Sequence, residues 1–347
     1  MGAVAEERGE HRDGEEAREA AARVWAKASL VTPMAIRAVA TLRVADHLAE
    51  GPRTAQELGE AVGARPEALA RVLRHLVGEG LFTLEGDRFS LTGTGAALRS
   101  DHPYSRVGWF AADSAHGRAD LCLAELTEAL RTGEPAYGLH FGGSTFWDDL
   151  SADPDLSASF DDIMGARMAA QARILAGMYE WQALEHVVDV GGGDGTLLRT
   201  LLERFSRPRG TVVDLPGPVA AARETFRRAS LADRAGAVEG SFFDPLPEGG
   251  DAYLLCWVLH DWDDASARTI LRRCAEAAGP TGTVLVAEYG GGAEMSELDV
   301  RMLAYFNGRE RDGEELAALA AEAGLSIAGD HESHGIRLLE FTVGHPM

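Results

Sequence analysis

The stretch HVVDVGGGDGTLLRTLLERF, His186 to Phe205, decides how the chain is read. An apolar, strand-like segment passes into Gly191, Gly192, Gly193, Asp194 and Gly195, and a helix is expected from Thr196. Glycines permit a tight turn and let a ligand lie close to the backbone. A run of glycines alone could be a strained turn, but the strand, loop and helix order points to a nucleotide-like ligand.

Working outward, apolar runs and helical patterns alternate through the rest of the chain. Strands are expected at His186 to Val190, Thr211 to Asp214, Gly236 to Glu239, Ala252 to Leu259, Thr283 to Glu288, Leu325 to Ala328 and Arg337 to Val343. Helices are expected between the early strands, among them Asp264 to Ala278, and another at Asp312 to Ala323. This is an α/β pattern that predicts a doubly wound sheet, with a ligand crevice at the carboxyl ends of its strands.

The loop also discriminates between nucleotide ligands. Asp214 ends the next strand and could accept both hydroxyls of a ribose, as in NAD sites, but the dinucleotide fingerprint requires glycine where this chain has Thr196. Asp189 and Asp194 add negative charge where a pyrophosphate would be repelled. A ligand with a cationic amino-acid end and an adenosine end suits these acids better, and S-adenosylmethionine has both.

The first half of the chain has a different texture. Residues 1 to 22 are rich in acids and arginine, and read as a disordered arm rather than a signal peptide. From Thr54 and Glu57, spaced as a capping box, a helix is expected, then a second over Arg65 to Glu79, then a hairpin around Glu85, Gly86 and Asp87. That is winged-helix-like, covering residues 23 to 102. Residues 21 to 49 are apolar over too many helical phases to be solvated, so an intertwined homodimer is expected to cover them. Residues 103 to 183 read as a helical cap and linker, and residues 184 to 347 as the ligand-binding domain.

Composition sets limits on partners. At 347 residues and 46% hydrophobic content the chain can build one large or two moderate cores. A formal charge of -22 argues against nucleic acid and anionic membranes. Cys122, Cys256 and Cys274 have no zinc or disulfide spacing, no long uncharged apolar run is present, and a cytoplasmic protein with no metal is expected.

Taken together, VVDVGGGDG, VVDLPG, GSFFDPLP, LLCWVLHDWDD, VLVAEY and MLAYFNGRER resemble the class I S-adenosylmethionine-dependent O-methyltransferases of the plant caffeate and bacterial polyketide-tailoring type, over about residues 23 to 345. The resemblance implies an N-terminal dimerisation domain, a helical substrate cap, a Rossmann-like cofactor domain and S-adenosylhomocysteine as coproduct. It places Asp189, Gly191 and Gly193 at the methionine side, Asp214 and Leu215 at the ribose, and Ser241 and Phe242 at the adenine, with Cys256 and Trp257 beside the cofactor. Ser241 stands where the plant pattern has aspartate, and Cys256 where it often has lysine.

His260 follows the fourth strand at the ligand-bearing edge, where an imidazole can take a phenolic proton near neutral pH. By itself it could equally cap or pack the strand end. The resemblance makes it the general base, flanked by Glu288 and Glu310. Phe160, Met164, Met168 and Gln171 share one helical stripe, which reads as core or as ligand wall. The resemblance makes it the acceptor wall, joined by Met302 and Asn307, with Trp109, Phe110, Phe146 and Trp147 able to enclose a flat ring. A small aromatic acceptor from a secondary-metabolite or antibiotic pathway is expected. Two rivals remain: a same-fold decarboxylase or hydroxylase, and a cofactor-sensing DNA-binding regulator.

Overall fold

A computed structural model describes residues 2–290 and 293–344, which form two units, Met1–Asp113 and Ser114–Met347. The first begins with a helix, Gly2–Ala28, where a disordered arm was expected. The correction has a simple cause: the segment is built largely from alanine, glutamate and arginine, which lose little rotamer freedom in a helix. Thr54 and Glu57 form the expected reciprocal cap on the helix Ala55–Val62, with Glu57 N donating to Thr54 Oγ1 at 3.2 Å and Thr54 N donating to Glu57 Oε2 at 2.7 Å. The helix Pro66–Gly78 follows, then β2 (Phe82–Glu85) and β3 (Arg88–Leu91), and β3 lies between β2 and β1 (Arg53–Thr54), antiparallel to both. Leu58, Leu69, Leu73, Leu76, Phe82 and Phe89 close this core. The apolar segment ahead of it splits in two: Val39, Val44 and Leu48 are buried, whereas Val24, Trp25, Leu30, Val31 and Met34 stay exposed.

The second unit carries the sheet. Its strands are β4 (His186–Val190), β5 (Arg209–Asp214), β6 (Ala235–Glu239), β7 (Ala252–Cys256), β8 (Thr283–Tyr289), β9 (Leu325–Ser333) and β10 (Ile336–Val343). Their order is β6-β5-β4-β7-β8-β10-β9, with β10 antiparallel to β8 and β9 and the other pairs parallel. Strand order reverses at β4, whose neighbours are β5 on one side and β7 on the other, so the crevice of a doubly wound sheet opens beyond the carboxyl ends of β4 and β7. The glycine loop leaves β4 and the His260 turn follows β7, which places both motifs at that reversal.

Two boundaries differ from the sequence reading. The helices from Ser114 to Leu175 share a unit with the sheet, because the long helix Pro154–Leu175 buries Ala172 and Leu175 in a sheet-face core with Leu197, Leu201 and Leu254. β7 stops at Cys256 instead of Leu259. Trp257 adopts a left-handed φ of 53° and ends the pairing, while Val258 and Leu259 remain apolar because they fill the core on the other face.

Candidate active site

Gly191 leaves β4 with a φ of 74°, and a Cβ there would come within 2.9 Å of Val258 and 3.6 Å of the Phe242 ring. Only glycine lets the loop turn this sharply against the segment beyond β7. Gly193 N donates to Asp214 Oδ2 at 2.9 Å and Leu215 N donates to Asp214 Oδ1 at 2.7 Å, so the carboxylate that ends β5 is tied to the loop. Burial raises the Asp214 pKa and these two amides oppose the rise.

Beneath the loop, Asp189 is 1% exposed, and neither of its oxygens has a hydrogen-bond partner among the described residues. Burial, reinforced by Asp214 and Asp194, pushes its pKa up to about 7. Asp161, on the helix Pro154–Leu175, is pushed to about 6 by burial and by the same two acids. That helix passes close to the loop, since a Cβ on Gly165 would meet Asp194 Oδ2 at 3.0 Å. None of Asp161, Asp189, Asp194 and Asp214 has an ion pair with a lysine or arginine among the described residues. Four acids with no cation among them favour a ligand that carries positive charge.

The other predicted cofactor positions lie around the same loop. Phe242 stands against Gly191 and packs on Phe243 and Trp262 at 5.1 and 5.7 Å between ring centroids. Ser241 Oγ accepts from Phe243 N at 3.2 Å, and Leu215 is exposed. Cys256 is buried, its thiol pKa raised by burial and by the nearby charges of Asp189 and Glu288. Trp257 packs on Tyr289 at 5.5 Å, with its indole nitrogen unpaired among the described residues.

His260 sits on a short turn, Leu259–Asp261, and is 8% exposed. Its Nδ1 lies 3.0 Å from Glu310 Oε1 and 3.3 Å from Glu288 Oε2, and its Nε2 lies 3.4 Å from Asp261 Oδ1. The Nδ1 contacts are ion-pair distances without hydrogen-bond alignment. Glu288 is held from the other side, where Leu259 N donates to its Oε1 at 3.0 Å. Burial disfavours the imidazolium, but Glu288, Asp261 and Glu310 outweigh it and raise the His260 pKa to about 9. Burial raises Glu288 to about 7 and Asp261 to about 6, with His260 opposing both. Ligand atoms of His260, Glu288 and Glu310 lie within 4.8 Å of one another, and the imidazolium supplies the positive charge that this set of carboxylates requires.

The predicted acceptor wall is only partly gathered. Phe160 and Phe146 belong to the core of the helical region, 5.6 Å apart edge to face, and Trp147 stacks on Phe306 at 5.3 Å. Met168 packs instead toward the sheet core, and Gln171 Nε2 donates to Tyr289 Oη at 3.0 Å. Met164 is half-buried and Met302 is buried. Asn307 is exposed with a φ of 61°, the left-handed residue that ends the helix Ala293–Phe306, and Gly308 N returns to Met302 O at 3.2 Å. Trp109 and Phe110 lie in the first unit, where Phe110 packs against its core and Arg37 stands 5.8 Å from the ring.

Sequence reasoning missed three residues near these groups. Asp161 shares a helical face with Gly165 and Met168, a spacing that could have flagged it. His116 stacks on Phe160 at 5.4 Å, and burial lowers its pKa to about 4. Arg167 lies over Tyr289 at 5.0 Å, and its charge reaches Asp261 and His116.

Comparison with known proteins agrees with this geometry. Residues 123–326 match the O-methyltransferase domain model, and residues 27–101 match the O-methyltransferase dimerisation domain. The chain is 51% identical over 320 residues to a 2,7-dihydroxy-5-methyl-1-naphthoate 7-O-methyltransferase of Streptomyces carzinostaticus, covering 91% of this chain and 96% of the relative. It is 41% identical to an aclacinomycin 10-hydroxylase of Streptomyces purpurascens, covering 90% and 88% of the two chains. A crystal structure of an O-methyltransferase from neocarzinostatin biosynthesis, in complex with S-adenosylmethionine and 2-hydroxy-5-methyl naphthoic acid, superposes with a TM-score of 0.88 at 50% identity, covering 92% of this chain and 98% of that one. The chain belongs to the O-methyltransferase family.

Proposed function

We propose that this O-methyltransferase uses S-adenosylmethionine to methylate a phenolic hydroxyl of an aromatic, polyketide-derived intermediate, with a fused-ring hydroxy acid such as a hydroxynaphthoate as the leading class of acceptor. The observation that carries the reading is the pairing of two acid clusters at one sheet reversal. One has no cation of its own, and the other surrounds His260.

The cofactor fits the first cluster. The unpaired oxygens of Asp189 call for a cationic partner, and the left-handed Gly193, with nothing within 4 Å of where a Cβ would stand, leaves room for a ligand to approach the backbone. When bound, the cofactor supplies an electrophilic methyl on a sulfonium. Gly191 and Gly193 shape the loop around it, with Asp189 and Asp161 facing the amino-acid end, Asp214 and Leu215 at the ribose and Phe242 and Ser241 at the adenine. Cys256 and Trp257 wall the cofactor from the β7 side.

His260 takes the acceptor's proton on Nε2, because Nδ1 faces Glu288 and Glu310. Those carboxylates stabilise the imidazolium that forms, and Glu288 is fixed by its bond from Leu259 N. Met164, Met302 and Trp147 are proposed to face the acceptor. Phe146 and Phe160 support that wall through packing, and Asn307 acts by ending its helix. The dimerisation domain, with the exposed Trp25 just ahead of it and Leu30, Val31 and Met34 exposed within it, supports a homodimer, and the three free, buried thiols suit the cytoplasm. No helix among the described residues is long and apolar enough to cross a membrane.

A second reading is favoured by the 41% identical hydroxylase. The test separates the two: purified protein, isotope-labelled S-adenosylmethionine and a panel of hydroxynaphthoates, phenolic acids and anthracyclines, with products resolved by mass. Labelled methyl in an aryl ether supports the proposal. Loss of carboxylate or gain of oxygen without label would replace it with the hydroxylase reading.

A further inference from the structure

The segment Gly308-Arg309-Glu310-Arg311-Asp312 carries five residues in no periodic pattern, four of them charged, and such a run usually belongs on a solvated surface. Here it is a strap whose Gly308, Glu310 and Arg311 are buried while Arg309 and Asp312 face out. Gly308 lies so close to the turn after β7 that an added Cβ would overlap the His260 carbonyl oxygen and the Asp261 backbone. Glu310 N donates to Asp299 Oδ1 at 2.8 Å, which ties the strap to the preceding helix.

Arg311, 3% exposed, then spans the turn that bears His260. Its Nη1 donates to Leu259 O at 2.8 Å and its Nη2 to Trp262 O at 2.7 Å, one carbonyl on either side of the histidine. Its Nε and Nη2 also donate to Asp264 Oδ1 at 2.9 and 2.8 Å, at the start of the next helix. The planar guanidinium reaches these three acceptors from fixed directions, which an ammonium cannot do at once.

We infer that Arg311 is a positioning residue: by clamping the Leu259 and Trp262 carbonyls it locks Glu310 against Nδ1 of His260 and leaves Nε2 directed at the acceptor hydroxyl. The inference rests on the proposal that His260 is the base. Arg311 makes no hydrogen bond or ion pair with the imidazole or with the Glu288 and Glu310 carboxylates, and acts through the backbone that carries them. The charged groups that face His260 are Glu288 from β8, Glu310 from the strap and Asp261 from its own turn, with Arg167 of the helix Pro154–Leu175 acting on Asp261. Arg311 is not among the largest influences on the His260 pKa, which are burial, Glu288, Asp261 and Glu310.

The test compares Arg311→Lys, which keeps the charge and loses the fork, with wild type. The readouts are the kcat/KM pH profile, cofactor affinity by calorimetry, and the His260 titration by NMR, its resonance identified by its loss in His260→Gln. The inference expects kcat to fall about tenfold or more, as in loss of a general base's alignment, with cofactor Kd unchanged and the His260 pKa moved down from about 9 toward its ordinary value. If Arg311→Lys does not fold, Asp264→Ala decides, since it removes the acceptor of two guanidinium bonds at a half-exposed side chain and should move the same readouts in the same direction. A folded variant whose His260 titration and pH profile match wild type overturns the inference, whatever its rate. Full turnover in His260→Gln would instead overturn the general-base reading, and the NMR titration would still decide the clamp.

Discussion

Replacing Asp189 with Asn should make the unliganded protein more stable at neutral and alkaline pH while weakening its hold on the cofactor. Asp189 has no partner for either oxygen among the described residues, and its pKa is raised from 3.8 to about 7. Raised folded-state acidity means that the folded protein holds a proton the unfolded chain releases, so the stability cost of the carboxylate is absent below pH 3.8, grows as pH rises, and levels off above about 7. The full shift corresponds to about 4 kcal/mol at 1.36 kcal/mol per unit. Coupling to Asp194 and Asp214 spreads part of that over the cluster, and an unpaired buried amide returns about 1–2 kcal/mol.

The reliable quantity is therefore the pH dependence. Between pH 5 and pH 8 the stability advantage of Asp189→Asn over wild type should grow by about 2–3 kcal/mol, read from urea unfolding of both proteins without ligand. A difference that stays flat across that range would refute the reasoning that Asp189 is a buried, unpaired acid. Binding supplies the second arm: S-adenosylhomocysteine keeps the ammonium of S-adenosylmethionine and lacks its sulfonium charge. Equal losses of affinity for both ligands in the variant assign Asp189 to the ammonium, and a loss confined to S-adenosylmethionine assigns it to the sulfonium.

Further outcomes test the His260 side. Below about pH 9, wild-type kcat/KM should rise about tenfold per pH unit, because only the neutral imidazole accepts a proton; His260→Gln should lose about 10²- to 10⁴-fold in kcat and flatten this limb, with cofactor binding intact. Glu288→Gln should shift the limb to lower pH, since Glu288 is the strongest of the groups holding the His260 pKa up. Stability should follow: the His260 contribution is present below about pH 6.5 and is lost as pH rises through about 9, and the raised Glu288 pKa of about 7 adds the cost of a buried carboxylate over the same rise, so wild type should lose stability relative to Glu288→Gln as pH goes from about 5 to 9. Gly308→Ala should lower Tm and kcat together, because the added methyl displaces the backbone of the His260 turn; an unaltered kcat in a folded variant would show that the strap tolerates the displacement.

Much of this was legible in the sequence because it is periodic. The strand into Gly191, the helix Asp264–Ala278 and the Thr54–Glu57 cap follow from alternation, spacing and capping chemistry, all local properties. Where local rules stop, reading stops. Val258 and Leu259 extend an apolar run past the end of β7, and apolarity cannot distinguish a strand from a core-facing turn bent by Trp257. Asp161 joins Asp189 and Asp214 only through the packing of a distant helix, and Arg311 looks solvated until the strap is folded over the β7 turn. Phe146 and Asn307 show the converse: an aromatic ring and a polar tip resemble ligand contacts, yet the first is 2% exposed in a core and the second ends a helix.

The two acid clusters also explain why the sheet reversal carries both motifs. Cys256 senses Asp189 on one side and Glu288 on the other, so the two clusters flank the last residue of β7. The Glu288 cluster holds its own cation, the His260 imidazolium, and the Asp189 cluster has none among the described residues. A positively charged ligand entering the Asp189 cluster would lower the His260 pKa across that short distance and favour the neutral imidazole at the moment a proton must be accepted. On the proposed reading of His260 as the base, cofactor binding and base activation become one electrostatic event. The His260 titration measured by NMR should accordingly fall when S-adenosylmethionine binds, and fall less with the uncharged sulfur of S-adenosylhomocysteine; equal titrations with both ligands would separate the two clusters.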